Sequence, residues 1–313
     1  MNRSRFLFLI AFLHLLFAPS SSWAQPPTER GYVGGAEPCK LCHPAQFASF
    51  AATKMGALFL IGPRNDRERL GCEACHGPAA AHVASAGAER LSPVISFAKR
   101  DSAPIPQRNA VCLQCHTQGP VALWHGSTHD NRKLACVDCH AVHGGRQKLL
   151  AEPTQQQLCT RCHQQIKSAL MKASHHPLRE EKMMCTNCHN PHGTQAAKLI
   201  AANTVNDKCY ECHSDKRGPF LWEHPPARES CLNCHTPHGS SHRPLLLVKP
   251  PLLCQKCHSN VFHPSTIYAL SSADALAGRS VYTADAQLFY RGCANCHVQA
   301  HGSNHPSGKF LHR

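Results

Sequence analysis

All 20 cysteines of this 313-residue chain fall in one pentapeptide, Cys-x-x-Cys-His, which occurs ten times. In each copy the two thiols can add across the two vinyl groups of one haem, and the histidine then lies beneath the iron as its proximal ligand. A redox dithiol or a zinc site built on Cys-x-x-Cys does not require histidine at the next position. Ten copies with no cysteine left over therefore predict ten covalently attached haem c groups.

The residues that hold these haems follow directly from the motif, and no catalytic residue is predicted. The thioether-forming residues are Cys39, Cys42, Cys72, Cys75, Cys112, Cys115, Cys136, Cys139, Cys159, Cys162, Cys185, Cys188, Cys209, Cys212, Cys231, Cys234, Cys254, Cys257, Cys293 and Cys296. The proximal ligands are His43, His76, His116, His140, His163, His189, His213, His235, His258 and His297.

Each iron needs a sixth ligand or has an open position, and the repeated sequence supplies candidates. Most even-numbered motifs are followed closely by a second histidine and a glycine, as in Cys185-Thr-Asn-Cys-His-Asn-Pro-His192-Gly. We expect the glycine to let the chain turn tightly past a porphyrin. The distal ligands predicted from this pattern are His143, His192, His238 and His301.

Odd-numbered motifs lack this close histidine, and their candidates lie further along, before the next motif. These candidates are His129, His176, His224 and His263. The sequence leaves two of the assignments open, because His125 is an alternative to His129 and His175 is an alternative to His176.

The first two motifs differ from the others. His82 follows the second motif and is a candidate distal ligand. No histidine lies between His43 and His76, and Met55 stands about where the first haem is expected to find its distal ligand. A thioether can ligate haem iron, whereas methionine also fills gaps in packed interiors, so both interpretations of Met55 stay open.

The N-terminus has the features of a secretory signal, predicted at residues 1–24. Two arginines precede a largely apolar run at residues 6–18, and small residues at positions 22 and 24 suit a signal peptidase. An uncleaved anchor helix is the alternative, although this run is short for a hydrocarbon core of ~30 Å. We expect an exported protein whose mature chain begins near Gln25.

The charge of the chain points less clearly to a partner. The formal net charge is +14, which is typical of proteins that bind nucleic acid or anionic membranes. An exported protein does not meet nucleic acid, and the propionates of the predicted haems would offset the positive charge. No nucleic-acid partner is predicted.

The remaining residues are poorly suited to an ordinary hydrophobic core. Aromatic residues make up 6% of the chain and charged residues 17%, while there are 23 prolines and 19 glycines. We therefore predict a mostly irregular, elongated fold with short α-helices and little or no β-sheet, in which haems form the core. Residues 25–313 are predicted to form a single extended decahaem domain, with haems 1 and 2 in residues 25–100 and paired-haem repeats in residues 101–313.

The chain resembles the MtrA/DmsE family of decahaem cytochromes over essentially its whole mature length. The resemblance rests on the ten motifs, an early Cys-His-Gly-Pro-x-x-x-His, several Pro-His-Gly sequences and the ending Cys293-Ala-Asn-Cys-His-Val-Gln-Ala-His-Gly-Ser-Asn-His305. It implies a haem wire that inserts into an outer-membrane β-barrel porin. The further partners it implies are periplasmic or inner-membrane donor or acceptor cytochromes and an outer-surface multihaem cytochrome or terminal reductase.

The predicted function is electron transfer between the periplasm and the cell surface through such a porin, by a periplasmic protein associated with the outer membrane. A soluble periplasmic electron shuttle is the alternative. A multihaem reductase is less favoured, because it needs an iron with an open position, often with an altered proximal ligand, and all ten proximal ligands here are histidine. The direction of electron flow is left open.

Overall fold

The computed structural model of the chain describes residues 31–98, 103–144, 149–258 and 292–312. The predicted signal at residues 1–24 and the candidate ligand His263 lie outside the described residues.

Short helices separated by loops make up the described chain. The α-helices are α1 (Glu37–Cys42), α2 (Pro44–Ala51), α3 (Lys54–Leu60), α4 (Asp66–Arg69), α5 (Glu73–His76), α6 (Ala80–Ala84), α7 (Ile105–Leu113), α8 (Thr128–Asn131), α9 (Cys136–Cys139), α10 (Gln155–Thr160), α11 (Gln164–Leu170), α12 (Val205–Tyr210), α13 (Pro225–Glu229) and α14 (Leu252–Gln255). The 3₁₀ turns are Gly119–Val121, Cys185–Asn187, Ala197–Leu199, Ser214–Lys216, Cys231–Asn233, Cys293–Asn295 and Gly308–Phe310.

The β-structure is confined to one small ladder and a few isolated bridges within the described ranges. Strand β1 (Trp222–Glu223) pairs antiparallel with strand β2 (Gly302–Ser303), so that Trp222 lies opposite Ser303. The prediction of a mostly irregular fold with short helices and little sheet is confirmed.

Capping by side chains explains where several helices begin. Thr53, Ser127 and Thr204 each precede a helix and accept a hydrogen bond from the backbone N–H three residues later. Such a cap satisfies one of the amide donors that the first turn leaves without a helical partner. A helix of one or two turns is marginal in isolation, so these elements need tertiary contacts, which the predicted haems could supply.

Few hydrophobic side chains are buried in the described ranges, and half of them are alanine. They are Ala36, Phe50, Leu70, Ala74, Ala79, Trp124, Ala135 and Leu170. This apolar set is too small to offset the conformational entropy of ordering more than 200 residues. The fold therefore needs a further apolar component between its helices, which is the place predicted for haem.

Polar side chains fasten odd-numbered motifs to the even-numbered motifs that follow them. Asn206 in α12 is buried, accepts a hydrogen bond from the backbone N–H of Cys231 at 2.8 Å, and donates to the carbonyls of Ala227 and Arg228. Asn109 in α7 makes equivalent bonds, since it accepts from the backbone N–H of Cys136, the first residue of the fourth motif, and donates to the carbonyl of Leu134. Motifs 3 and 4 and motifs 7 and 8 are therefore held together as pairs, and we use the term motif pair for an odd-numbered motif and the next even-numbered one.

The first motif pair is held by a different set of hydrogen bonds, made by Glu73. Glu73 is almost completely buried, and its carboxylate accepts hydrogen bonds from the backbone N–H groups of Val33, Gly34 and Ala79 at 2.7–2.9 Å. A carboxylate can be buried when backbone donors replace its water. These bonds tie the segment before the first motif to the helix of the second.

Candidate haem sites

Every Cys-x-x-Cys-His motif forms a single helical turn. In all ten, the backbone N–H of the histidine donates to the carbonyl of the first cysteine, at 2.8–3.1 Å. This i→i+4 bond closes one α-turn, so both sulfurs and the imidazole project from the same short turn. That is the arrangement needed to bind two vinyl groups and the iron of one porphyrin.

The two motifs of each motif pair lie side by side. The first cysteines of the two motifs are within hydrogen-bonding distance of each other in every motif pair. The neighbouring thiols are Cys39 and Cys72, Cys112 and Cys136, Cys159 and Cys185, Cys209 and Cys231, and Cys254 and Cys293. The two haems of a motif pair would therefore be attached at adjacent points.

Successive motif pairs are also neighbours, through their second cysteines. Burial is the largest cause of a raised thiol pKa at the second cysteine of motifs 2, 4, 6 and 8, and the charge of a cysteine in the following motif raises that pKa further. The neighbours are Cys75 and Cys115, Cys139 and Cys162, Cys188 and Cys212, and Cys234 and Cys257. The attachment points thus form one series in chain order.

Eight motif histidines face a second histidine from elsewhere in the chain. The pairs, with the distance between ring centres, are His43–His82 (6.3 Å), His76–His143 (6.2 Å), His163–His129 (6.2 Å), His140–His192 (6.0 Å), His213–His176 (6.3 Å), His189–His238 (5.9 Å), His258–His224 (6.1 Å) and His235–His301 (6.1 Å).

These distances match two imidazoles on opposite sides of one metal ion. A metal–imidazole bond is about 2.0–2.1 Å long, and the ring centre lies ~1.1 Å beyond the nitrogen, so two ligands in line give roughly 6.2–6.4 Å. Directly stacked rings would approach more closely than this. The gap between the rings therefore has the width that an iron with two axial histidines requires.

Hydrogen bonds to the backbone orient many of these imidazoles, and also the ring of His297. A ring Nδ1 lies 2.6–3.2 Å from a carbonyl oxygen in His76, His82, His129, His143, His176, His189, His224, His235 and His297. A carbonyl can only accept, so Nδ1 carries the proton and Nε2 keeps its lone pair for a metal. At His192 the buried Nδ1 has no hydrogen-bond partner.

Burial also keeps several of these rings neutral. It lowers the imidazole pKa below its usual value at His76, His192, His238 and His301, and in each case the facing histidine lowers that pKa further. A neutral imidazole is the form that binds iron. Among the described residues, no three His, Cys, Asp or Glu side chains converge as a metal site.

The facing histidines come from different repeats. The histidine after each of motifs 4, 6, 8 and 10 faces the histidine of the even-numbered motif before it, which is motif 2, 4, 6 or 8 respectively. The histidine before an even motif faces the odd motif that follows it, as His129 faces His163 of motif 5. Each repeat therefore contributes a facing imidazole to its neighbours, and the repeats are interlocked.

The geometry separates the alternatives that the sequence left open. His129, rather than the exposed His125, faces a motif histidine. His176 faces His213, whereas His175 binds the Lys172 carbonyl and Glu180. At the first motif, the ring that faces His43 belongs to His82, which favours His82 over Met55 as the partner of His43.

The histidines of motifs 3 and 10 differ from these eight. His116 of motif 3 has no facing imidazole among the residues that the structure describes. The ring of His297 lies 4.6 Å from that of His312, which is too close for an iron between them. The candidate His263 lies outside the described residues.

The structure shows why glycine follows the candidate distal histidines His192 and His238, which the sequence did not reveal. A Cβ on Gly239 would overlap the carbonyl oxygen of Ala169, and one on Gly193 would overlap that of Leu123. The glycine is needed because the backbone of an earlier repeat passes directly against it, which is a closer constraint than the predicted turn past a porphyrin. The carbonyls that orient the imidazoles were also missed, because backbone acceptors have no residue-type signal.

None of the helices in the described ranges is long and apolar enough to cross a bilayer.

Comparison with known proteins gives matches along most of the chain. A family model for the doubled CXXCH motif matches residues 175–218 and 224–262, and one for cytochrome c-type NrfB-like proteins matches residues 72–158. The multihaem cytochrome MtrA of Shewanella baltica (strain OS185) is 39% identical over 280 residues, which cover 89% of this chain and 81% of that protein. These matches span the motifs that form the facing histidine pairs.

Proposed function

The chain belongs to the family of multihaem c-type cytochromes that includes MtrA, and on that premise we propose that it conducts electrons through ten haems between the periplasm and the cell surface. It would do so inside an outer-membrane porin, as an exported periplasmic protein. Its partners would be a periplasmic or inner-membrane cytochrome at one end and an outer-surface cytochrome or terminal reductase at the other.

The observation that carries this proposal is the order of the attachment motifs. Each motif is a neighbour of the next along the chain, alternately through first cysteines, as at Cys159 and Cys185, and through second cysteines, as at Cys188 and Cys212. Bound haem supplies a one-electron iron couple. The protein holds the attachment points in a series, so an electron entering at one end has a neighbouring site at every step.

The protein also supports electron transfer by keeping the ligand set rigid. The facing imidazoles are oriented by backbone carbonyls, as His224 is by Ala300 at 2.7 Å. Ligands fixed in this way reorganise little when the charge on a metal changes, which favours rapid transfer. Two axial histidines also leave no open position for substrate, which supports an electron carrier over a reductase.

A route through the outer membrane requires a protein long enough to span it. A bilayer with its headgroups is ~40–45 Å thick, whereas a compact globule of the predicted mature length would have a radius of gyration of ~19 Å. A series of ten haems in chain order would extend much further than such a globule. Small-angle X-ray scattering on the haem-loaded monomer should therefore give a radius of gyration well above the globular estimate.

Proteoliposomes test the conduit directly. Vesicles would contain an internal redox dye and an outer-membrane porin that co-purifies with this protein from native membranes, with or without the cytochrome. Reduction of the dye from outside should require both proteins. The variant Cys185→Ser/Cys188→Ser, which lacks the attachment site of haem 6, should bind the porin but pass electrons at least tenfold more slowly.

Two results would overturn the proposal. Equal rates for the wild type and the haem 6 variant would show that electrons bypass the series. Failure to isolate a complex with any outer-membrane barrel from native membranes, together with a compact scattering profile, would instead support the soluble shuttle.

A further inference from the structure

Motif 3 stands apart from its neighbours. His116 has no facing imidazole among the described residues, whereas the motif histidines on both sides of it, His76 and His140, face His143 and His192. The residue that occupies the corresponding position opposite His116 can be found from the repeat.

Helices α3 and α8 are equivalent elements in successive repeats. Each follows an odd-numbered motif, and each begins after a buried hydroxyl residue, Thr53 or Ser127, whose side chain accepts a hydrogen bond from the third residue of the helix. The second residue of α3 is Met55, and the second residue of α8 is His129. Their distances from the preceding motif agree to within one residue.

The surroundings of the two helices match as well. A buried aromatic ring lies five residues before each position, Phe50 before Met55 and Trp124 before His129. The Phe50 ring centre is 5.9 Å from that of His143, and the Trp124 ring centre is 6.4 Å from that of His192. His143 and His192 are themselves equivalent, since each follows an even-numbered motif by the same spacing.

The motif that each of these residues faces can then be compared between one motif pair and the next. His192 faces motif 4 and its equivalent His143 faces motif 2. His129 faces motif 5, so its equivalent Met55 should face motif 3, where His116 is found.

A backbone carbonyl supplies an independent indication. Nδ1 of His129, His176 and His224 donates to the residue just before a distal histidine, at 2.7 Å in each case. The corresponding residue opposite Met55 is Val142, and no hydrogen bond reaches its carbonyl from the described residues. The side chain of methionine has no N–H to donate, so this carbonyl is left without the bond.

We infer that Met55 is the sixth ligand of the iron attached at motif 3, opposite His116. This haem would be ligated by histidine and methionine between neighbours ligated by two histidines. Thioether ligation favours ferrous iron, so the midpoint potential of haem 3 should lie above those of haems 2 and 4. The inference depends on haem attachment at motif 3 and not on the route through a porin.

Spectroscopy of the full-length haem-loaded protein tests the ligand. Ferric haem with a methionine ligand has a weak sulfur-to-iron charge-transfer band that haem with two histidines lacks. The wild type should show this band with the intensity of one haem. Met55→His should abolish it and shift one midpoint potential downward, and Met55→Leu should give one high-spin haem that binds carbon monoxide when reduced. Met171→Leu, at an exposed methionine, should change neither property.

Removing single haems identifies which iron the sulfur binds. Cys112→Ser/Cys115→Ser, which lacks haem 3, should lose the band and the midpoint potential that Met55→His shifts, whereas Cys39→Ser/Cys42→Ser, which lacks haem 1, should keep both. The reverse result would place Met55 at the first haem. Absence of the band from the wild type would show that Met55 is not a ligand at all.

Discussion

His235 and His301 face each other at 6.1 Å with their ring planes only 8° apart, although two further attachment motifs separate them along the chain. His301 follows motif 10 but faces the histidine of motif 8. Attachment and axial ligation of one iron are therefore assigned to different repeats.

This relationship predicts which haem a ligand mutation affects. His301→Ala should leave nine haems low-spin and convert one, haem 8, to a high-spin form that binds carbon monoxide, because its iron loses a ligand. Haem 10, although closest in sequence, should not change. His305→Ala, at a histidine whose Nδ1 accepts a hydrogen bond from Ser307, is the control. Optical spectra with and without the attachment cysteines of motif 8 would make the assignment, and persistence of the high-spin signal without haem 8 would contradict it.

The total number of haems should be ten, because every cysteine lies in a motif and every motif forms the same helical turn. Intact-mass measurement of the fully matured protein should show ten haems, and Cys185→Ser/Cys188→Ser should show nine. A wild-type mass with fewer haems would show that one of the turns is not recognised for attachment.

Two classes of low-spin iron are expected from the angles between facing rings. The planes are 8–15° apart at haems 4, 6 and 8, but 52° and 69° apart at haems 7 and 5. Nearly parallel imidazoles give a rhombic low-spin signal in electron paramagnetic resonance, and strongly twisted imidazoles give a large maximal g value. Both signals should be present in the oxidised protein. A single rhombic signal accounting for all haems would contradict the ring geometry.

Gly239 should be intolerant of even one methyl group. Its Cβ would overlap the Ala169 carbonyl, so Gly239→Ala should destabilise the holoprotein by roughly 1–3 kcal/mol, as overpacking does. It should also displace His238 from His189 and alter one low-spin signal. Gly292→Ala, where nothing lies near the added methyl group, is the matched control. Calorimetric unfolding would compare the stability of the two variants. Equal stability would mean that the backbones at Gly239 and Ala169 move apart at little cost.

Asn206 should contribute more to stability than an exposed asparagine. Asn206→Ala removes the bonds to Cys231 and Arg228 and leaves buried backbone groups unpaired, which costs about 1–3 kcal/mol. Asn233→Ala, at an exposed residue, should cost about 0.5 kcal/mol or less. Denaturant unfolding monitored by haem absorbance would compare them.

The attachment residues and the class of fold could be predicted from sequence because haem attachment needs a fixed local motif. The positions of His143, His192 and His224 were also visible, since they recur with the repeat. Their partners were not visible, because the facing ring lies in another repeat and no local spacing encodes it. Met55 shows the difference: the sequence showed its place in the repeat, and only the position of His82 opposite His43 favours a partner for Met55 other than the first haem.

The adjacency of first cysteines has a consequence for biogenesis. Exported proteins encounter an oxidising compartment, in which neighbouring thiols form disulfides. The hydrogen bond from Cys159 lowers the pKa of the Cys185 thiol to about 7, so in the haem-free fold a thiolate would lie beside its reaction partner. A chain that folded before receiving haem would therefore cross-link motif 5 to motif 6 and lose both attachment sites. On the proposed export of this chain, we therefore expect haem attachment to precede folding, with a reductant protecting the unfolded chain until then.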